Sequence, residues 1–287
     1  MLWILVGLGT ALAQATTSYY SKKVMKNLDE YFAAWALAAF VLFFCSPLVM
    51  IIMTPWNNLV FWASITFNSV FFALSLIMYM RGIRLSPLSL SMPFIALTPV
   101  FMIFTGWLFL GEVPSAGGAV GVLLIGLGAY LLKASELRNG LLAPFKKIAS
   151  EPGVRYMVLT SFLWGLTAPT AKLAIVNSDP YTFIIWDYGI ATLILTPILL
   201  CKKKRAITQV KKNFWKLVPI GLTSAISIIL MSNLLTMTLA VYAIALKRMS
   251  VLFSSLYGMT LLGEKRAIER LLGAAVMLLG VIAIALS

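Results

Sequence analysis

The sequence predicts an all-α polytopic membrane protein in which ten transmembrane helices form two inverted five-helix repeats. Three observations carry that prediction: a composition too apolar for water, ten apolar segments of near-spanning length, and a motif that recurs with the same spacing at the end of each half. Of the 287 residues, 61% are hydrophobic and 11% charged, against roughly 45–50% apolar and about 25% charged in ordinary globular domains. The excess runs the whole length, so the chain needs lipid rather than one buried core as its solvent. The same composition argues against an aqueous nucleic-acid binder, a disulfide scaffold or a disordered chain.

The apolar segments fall at 2–20, 31–53, 59–80, 88–110, 115–132, 154–176, 181–201, 214–236, 239–262 and 271–286. Most approach the ~20 residues that cover ~30 Å of hydrocarbon at ~1.5 Å per residue. Ala11-Leu12-Ala13 before Gln14 has the look of a leader cleavage site, but no basic stretch precedes it and the apolar run continues past it. The first segment is therefore expected to be a retained helix. The last segment is short, and the break between the eighth and ninth is weakly marked. Pro93, Pro99, Pro169 and Pro197 lie inside segments, where proline can break a helix and expose backbone groups to a cavity.

The repeat is the most specific signal. Gly111-Glu112 is followed by Gly121 and Gly128, ten and seventeen residues after the first glycine, and Gly263-Glu264 is followed by Gly273 and Gly280 at the same two spacings. Each pair closes one apolar helix with Leu-Gly-Glu and opens another. The spaced glycines let neighbouring helices approach closely. Glu112 and Glu264 sit at the turn, where a carboxylate can accept orphan N–H groups of the next helix. Gly111, Glu112, Gly263 and Glu264 are thus read as a structural turn motif. Three units follow: a first five-helix repeat at 1–133, a linker at 134–153, and a second repeat at 154–287. The linker mixes Leu141, Leu142 and Phe145 with Lys146 and Lys147, which suits either an interfacial helix or a solvated connector.

The net charge of +14 is chiefly a topology signal. Twenty of the 23 Lys and Arg fall in the loops after the first, third, fifth, seventh and ninth segments or, as Arg155 and Lys216 do, within the first three residues of the segment that follows, and the opposite loops and both termini hold none. The positive-inside rule then puts the basic loops in the cytoplasm and both termini outside, in the plasma (cytoplasmic) membrane. Five helices per half is an odd number, so the second repeat enters from the opposite side, the inverted arrangement of many secondary transporters.

Ten segments in two halves, each with a Leu-Gly-Glu turn closing its fourth helix, resemble the EamA-type transporters of the drug/metabolite transporter superfamily. Tyr79, Leu85-Ser86-Pro87 and Thr98-Pro99-Val100 before Gly111-Glu112 fit the same pattern, as does Trp164-Gly165 followed by Lys172. The resemblance implies a secondary carrier with a central cavity between its halves, often proton-linked or exchanging. Many such relatives keep both termini in the cytoplasm, whereas the loop charges here predict the reverse.

Four ionisable residues remain inside segments: Lys172, Asp187, Lys247 and Arg248. A charge at mid-bilayer costs about 2.5–3.5 kcal/mol even on insertion scales, so these are functional candidates by default. Counted along the helix rise, all four lie roughly 6–14 Å below the outer boundary, within reach of one site. All belong to the second repeat; the positions equivalent to Lys247 and Arg248 are Ile95 and Ala96. Adjacent residues point about 100° apart on a helix, so one of Lys247 and Arg248 is expected to face substrate while the other pairs with Asp187 or with helix-end carbonyls. Three cations against one acid favour an anionic or zwitterionic guest. The Lys-Arg pair in the ninth segment also resembles the phosphate-binding pair of sugar-phosphate translocators in the same superfamily, although the lysine expected in their first half is missing.

The expected substrate set is Lys247, Arg248, Asp187, Lys172, Trp186 and Tyr242, with Asp187 as the proton-coupling candidate. Trp35, Trp164, Tyr188 and Tyr257 are further candidates for cavity walls. Cys45 and Cys201 read as packing residues. With no histidine, no paired-cysteine spacing and no Walker sequence, neither a metal, a cofactor nor an enzyme is implied. The expected function is alternating-access transport of a small organic metabolite by a monomer or homodimer. The alternatives are an exchanger or flippase for a phosphorylated sugar or lipid, and a non-transporting membrane scaffold.

Overall fold

The computed structural model describes residues 2–25, 28–86, 92–131, 151–202, 206–262 and 267–287, and every regular element among them is helical. The first half comprises α1 (Leu2–Met25), α2 (Glu30–Cys45) extended by a 3-10 turn (Ser46–Met50), and α3 (Leu59–Leu85). A 3-10 segment (Met92–Leu97) then leads into α4 (Thr98–Leu110), followed by α5 (Ala116–Leu131). The second half comprises α6 (Pro152–Val176), α7 (Pro180–Lys202), α8 (Ala206–Met237), α9 (Ala240–Lys247), α10 (Ser250–Leu262) and α11 (Ala267–Ala285). Gly263, Glu264 and nearly all of the linker at 134–153 lie outside the described residues.

Five helices are long and apolar enough to cross a membrane: α2 with its extension, α3, α6, α7, and α8 from Lys212 onward. Stretches of α4, α5 and α11 are apolar but shorter. Helix α1 is 24 residues long yet less apolar, for a reason visible in its spacing. Thr10, Thr17, Ser18 and Ser21 lie along one helical face and are buried, while Leu2, Leu5 and Leu12 are exposed. Its polar side therefore faces the protein interior and its leucines the lipid, the reverse of a helix on a soluble surface.

Helix starts are held by side chains that satisfy orphan N–H groups. The Asp29 carboxylate accepts from Tyr31 N at 3.0 Å, Asn58 Oδ1 from Phe61 N at 3.0 Å, and Asp179 Oδ1 from Tyr181 N at 2.8 Å and Thr182 N at 3.0 Å. Helix α4 ends at Gly111, whose φ of 65° is left-handed and suits glycine. Gly111 N and Glu112 N close that end on Trp107 O and Gly106 O. At the far end of α3, Lys22 Nζ donates to Ile83 O at 2.8 Å and to Ser86 O at 3.2 Å. Arg84 contacts Glu30 and lies 3.7 Å from Asp29, and the Arg81 guanidinium stands 5.0 Å over the Tyr156 ring. Several cations that carry the topology signal thus also cap α3 and tie it to α2 and α6.

The helices pair as a two-fold exchange of the halves demands. Helix α1 lies along α8, and their repeat equivalents, α6 and α3, lie along each other in the same way. Helix α2 packs on α7, α4 on α9, and α5 on α11, each pairing an element with its own repeat equivalent. The α5–α11 contact is made by the spaced glycines. A methyl group on Gly121 would lie 2.7 Å from Gly280 O, and one on Gly128 2.6 Å from Gly273 O.

Several segment boundaries shift from the sequence expectation. The stretch 239–262 is two helices rather than one, because the backbone changes to three-residue hydrogen bonding at its middle. Met249 N donates to Leu246 O at 2.9 Å and Val251 N to Arg248 O at 3.0 Å. The equivalent stretch of the first half changes from 3-10 to α at Leu97 and Thr98, so both repeats interrupt the same span at the same place. Pro169 and Pro197, expected as helix breakers, lie inside continuous α6 and α7, as Pro219 does in α8. The ninth span is interrupted without any proline.

Candidate functional site

A cavity of about 110 Å³ opens where the two halves meet. Helix α3 contributes Asn68, Phe72, Leu76 and Tyr79, a helical series that turns one face to the cavity. Helix α6 contributes Trp164 and then the smaller Thr167, Ala168 and Ala171, which leave room. Asp187 and Tyr188 enter from α7, Ser224 and Ser227 from α8, and Gln14 and Thr17 from α1. Lys247 and Arg248 close the lining where α9 ends and the ninth span breaks.

Asp187 is buried, and two neutral donors from the opposite half hold it. Asn68 Nδ2 donates to Asp187 Oδ1 at 2.9 Å and Ser69 Oγ donates to the same oxygen at 2.7 Å. Asn68 is oriented in turn by Thr170 Oγ1, which donates to its Oδ1 at 3.1 Å. Among the described residues, Oδ2 of Asp187 accepts no hydrogen bond.

The cations are arranged differently. Arg248 is 2% exposed, and its Nε has no hydrogen-bond partner. Its guanidinium stands 5.0 Å from the centre of the Trp164 ring, a cation–π contact. Trp164 is fixed by an N–H bond to Ser75 Oγ at 2.9 Å and by the Tyr79 ring at 5.1 Å. Tyr79 is hydrogen-bonded at its hydroxyl to Ser18 Oγ, 3.1 Å away. Lys247 is half-buried. Among the described residues neither cation has a carboxylate within ion-pair reach.

Three of the four ionisable residues singled out in the sequence, Asp187, Lys247 and Arg248, therefore line one cavity, with Trp164 and Tyr188 among its walls. Among the described residues the expected pairing of one cation with Asp187 is absent: Asn68 and Ser69 hold its Oδ1, and no cation is in ion-pair reach of its Oδ2. Lys172 is not in the lining. It forms an ion pair with Glu112 and donates to Thr238 O at 2.6 Å. Trp186 is also elsewhere: its N–H is bonded to Thr54 Oγ1 at 3.0 Å, and its ring packs edge-on against Trp62 and Trp56. The Tyr242 hydroxyl accepts from Ser115 N at 3.2 Å, so that side chain is used in seating α5. Glu112 does not cap the helix that follows it; its Oε2 accepts from Ala240 N, the first residue of α9, at 2.8 Å. Trp35 and Tyr257 are bonded to Thr196 and Thr16 and lie outside the lining. Cys45 is buried, and Cys201 is exposed.

Sequence reasoning missed Asn68, Ser69 and Thr170. The available signal was an amide inside the apolar run of α3, where an unpaired polar group is costly and so implies a partner.

This arrangement, two five-helix halves around a central polar cavity, coincides with what comparison finds. Residues 1–134 and 151–286 both match the EamA-like transporter family. The chain belongs to that family. Membership makes this EamA protein a multi-pass membrane transporter of small solutes, and the family is one of transporters rather than enzymes. One solved crystal structure aligns over 98% of this chain and 96% of its own with a TM-score of 0.69 and 11% identity, a likeness of fold alone. No curated protein sequence matches the chain.

Proposed function

We propose that this EamA protein is a secondary active transporter that carries a small anionic or zwitterionic metabolite across the cytoplasmic membrane by alternating access. One observation carries the reading: Lys247 and Arg248 face a cavity inside the apolar part of the protein with no carboxylate in ion-pair reach among the described residues. A buried Arg248 and a half-buried Lys247 with no carboxylate partner among the described residues are costly unless a guest supplies the missing charge. Lys247 supplies a point charge, and Arg248 a planar fork that suits carboxylate or phosphate. Oδ2 of Asp187 is free for an ammonium group or a proton, so a zwitterion can be held at both ends and proton coupling assigned to Asp187. The two half-spans that meet at Arg248 follow the pattern of broken helices at transporter sites.

The cavity volume of about 110 Å³ favours a small solute over a phosphorylated lipid, since a cavity of about 150 Å³ accommodates a molecule the size of benzene. The test is a thermal-shift screen of metabolites on the purified protein and on Lys247→Ala. Anionic or zwitterionic solutes are expected to raise the melting temperature of the wild type only. Stabilisation by neutral solutes, or equal stabilisation of the variant, overturns the reading. Both termini are placed outside, with the basic loops cytoplasmic; labelling of Ser287→Cys and Lys203→Cys from each side of the membrane checks this orientation.

A further inference from the structure

The Gly-Glu turn of the first repeat is the one sequence motif that the cavity does not use, and its surroundings indicate a role. Glu112 leaves the α4–α5 turn, pairs with Lys172 of α6, and accepts the N–H of Ala240 at 2.8 Å, where α9 begins. Lys172 in turn holds Thr238 O at 2.6 Å, just before α9. Both side chains are largely buried, 13% and 14% exposed. A carboxylate at the start of a helix and a cation on the carbonyl before it match the charges of both groups. Among the described residues this is the one ion pair that joins the two repeats, since Arg81 and Arg84 pair within the first. Helix α9 is only eight residues long and ends at Lys247, so whatever fixes its start also fixes the cations at its end.

We propose that Glu112 and Lys172 form an inter-repeat latch that pins the start of α9 and thereby positions Lys247 and Arg248, and that the latch opens when the repeats rock. Neither residue touches the solute; both act through α9. The proposal rests on the alternating-access reading above, but its test uses no solute, so the two can fail separately.

The reporter is Ser227→Cys, a cavity position on α8, in a background with Cys45→Ala and Cys201→Ala. Oriented proteoliposomes are treated with a membrane-impermeant thiol reagent from the face that holds Glu112. Losing charge-assisted bonds of this kind is expected to raise labelling on the order of tenfold in Glu112→Ala and in Lys172→Met, with no rise from the opposite face. Combining Glu112→Ala with Lys172→Met is expected to raise labelling little beyond either single change, because both remove the same latch, whereas independent loosening of the fold at two sites would multiply. Glu112→Gln keeps an acceptor for Ala240 N while removing the charge, and serves where the alanine variant does not fold. Unchanged labelling in the folded variants, or a double variant whose rise is the product of the two single rises, overturns the latch. If labelling responds as expected while no anionic or zwitterionic solute stabilises the protein, the latch stands and the solute assignment falls.

Discussion

Replacing Arg248 with methionine separates a binding residue from a structural one by the sign of its effect on stability. The guanidinium is almost fully buried, its Nε lacks a partner among the described residues, and the preceding residue, Lys247, is another cation. A buried donor left unsatisfied costs about 1–3 kcal/mol, more when charged. Against this stands the contact with Trp164 at 5.0 Å, where a desolvated cation–π pair contributes about 2 kcal/mol. Methionine keeps the apolar stem and can fill the same gap. The solute-free variant is therefore expected to be as stable as the parent or more stable, by on the order of 1 kcal/mol, since removing uncompensated buried charge is commonly neutral or favourable. The assay is thermal unfolding in detergent, with and without a solute that protects the parent. The expected pattern is an unchanged or higher melting temperature without solute, and no protection with it. A loss of stability equivalent to more than about 2 kcal/mol would show that the guanidinium is a structural tie, its contacts outweighing the cost of burying it. Retained protection would remove Arg248 from the site.

The glycine contact between α5 and α11 makes a second prediction. Gly121→Ala and Gly280→Ala each place a methyl within 2.7 Å of facing backbone oxygen, and each is expected to cost about 1–3 kcal/mol in unfolding. The double variant should cost less than the sum, because separating the helices for one methyl relieves the other; strict additivity refutes that geometry. Asp187→Asn retains a carbonyl acceptor for Asn68 and Ser69 while removing the only acid in the cavity lining. It is expected to abolish proton-driven uptake in liposomes while leaving solute exchange, and unchanged proton-driven flux removes Asp187 from coupling. Trp164→Phe loses the N–H bond to Ser75 and the stronger of the two cation–π faces. It is expected to weaken solute-dependent stabilisation with little change in the solute-free melting temperature, and a large drop in the latter would make Trp164 chiefly a packing residue.

Much of the fold was legible because each signal is local. Apolar length marks the spans, Gly111 closes α4 through its own left-handed backbone, and the equal spacing of Gly121 and Gly128 with Gly273 and Gly280 declares the repeat. The candidate site was legible only in part. Asp187, Lys247 and Arg248 stood out because each is an ionisable group in an apolar run. Lys172 stood out for the same reason, yet its partner Glu112 is sixty positions away in sequence, and nothing in the one-dimensional pattern distinguishes a bridged cation from an unbridged one. Asn68 and Ser69 were overlooked because neutral polar residues are common in membrane helices. Their importance appears only once α3 is seen against α7.

By itself, the sequence determined that this protein lies in lipid, that it is built twice over, and which loops carry the positive charge. It also gave an expected depth for each intramembrane charge, because depth is counted along a helix of known rise. The tertiary structure alone decided which of those charges share a cavity. That depends on how each helix is rotated about its axis and on which helix lies beside it, and both are set by side-chain packing between segments far apart in the chain. Thus Lys172 and Lys247, at similar expected depths, have different surroundings: one is joined to Glu112 between the repeats, and the other is left facing the cavity.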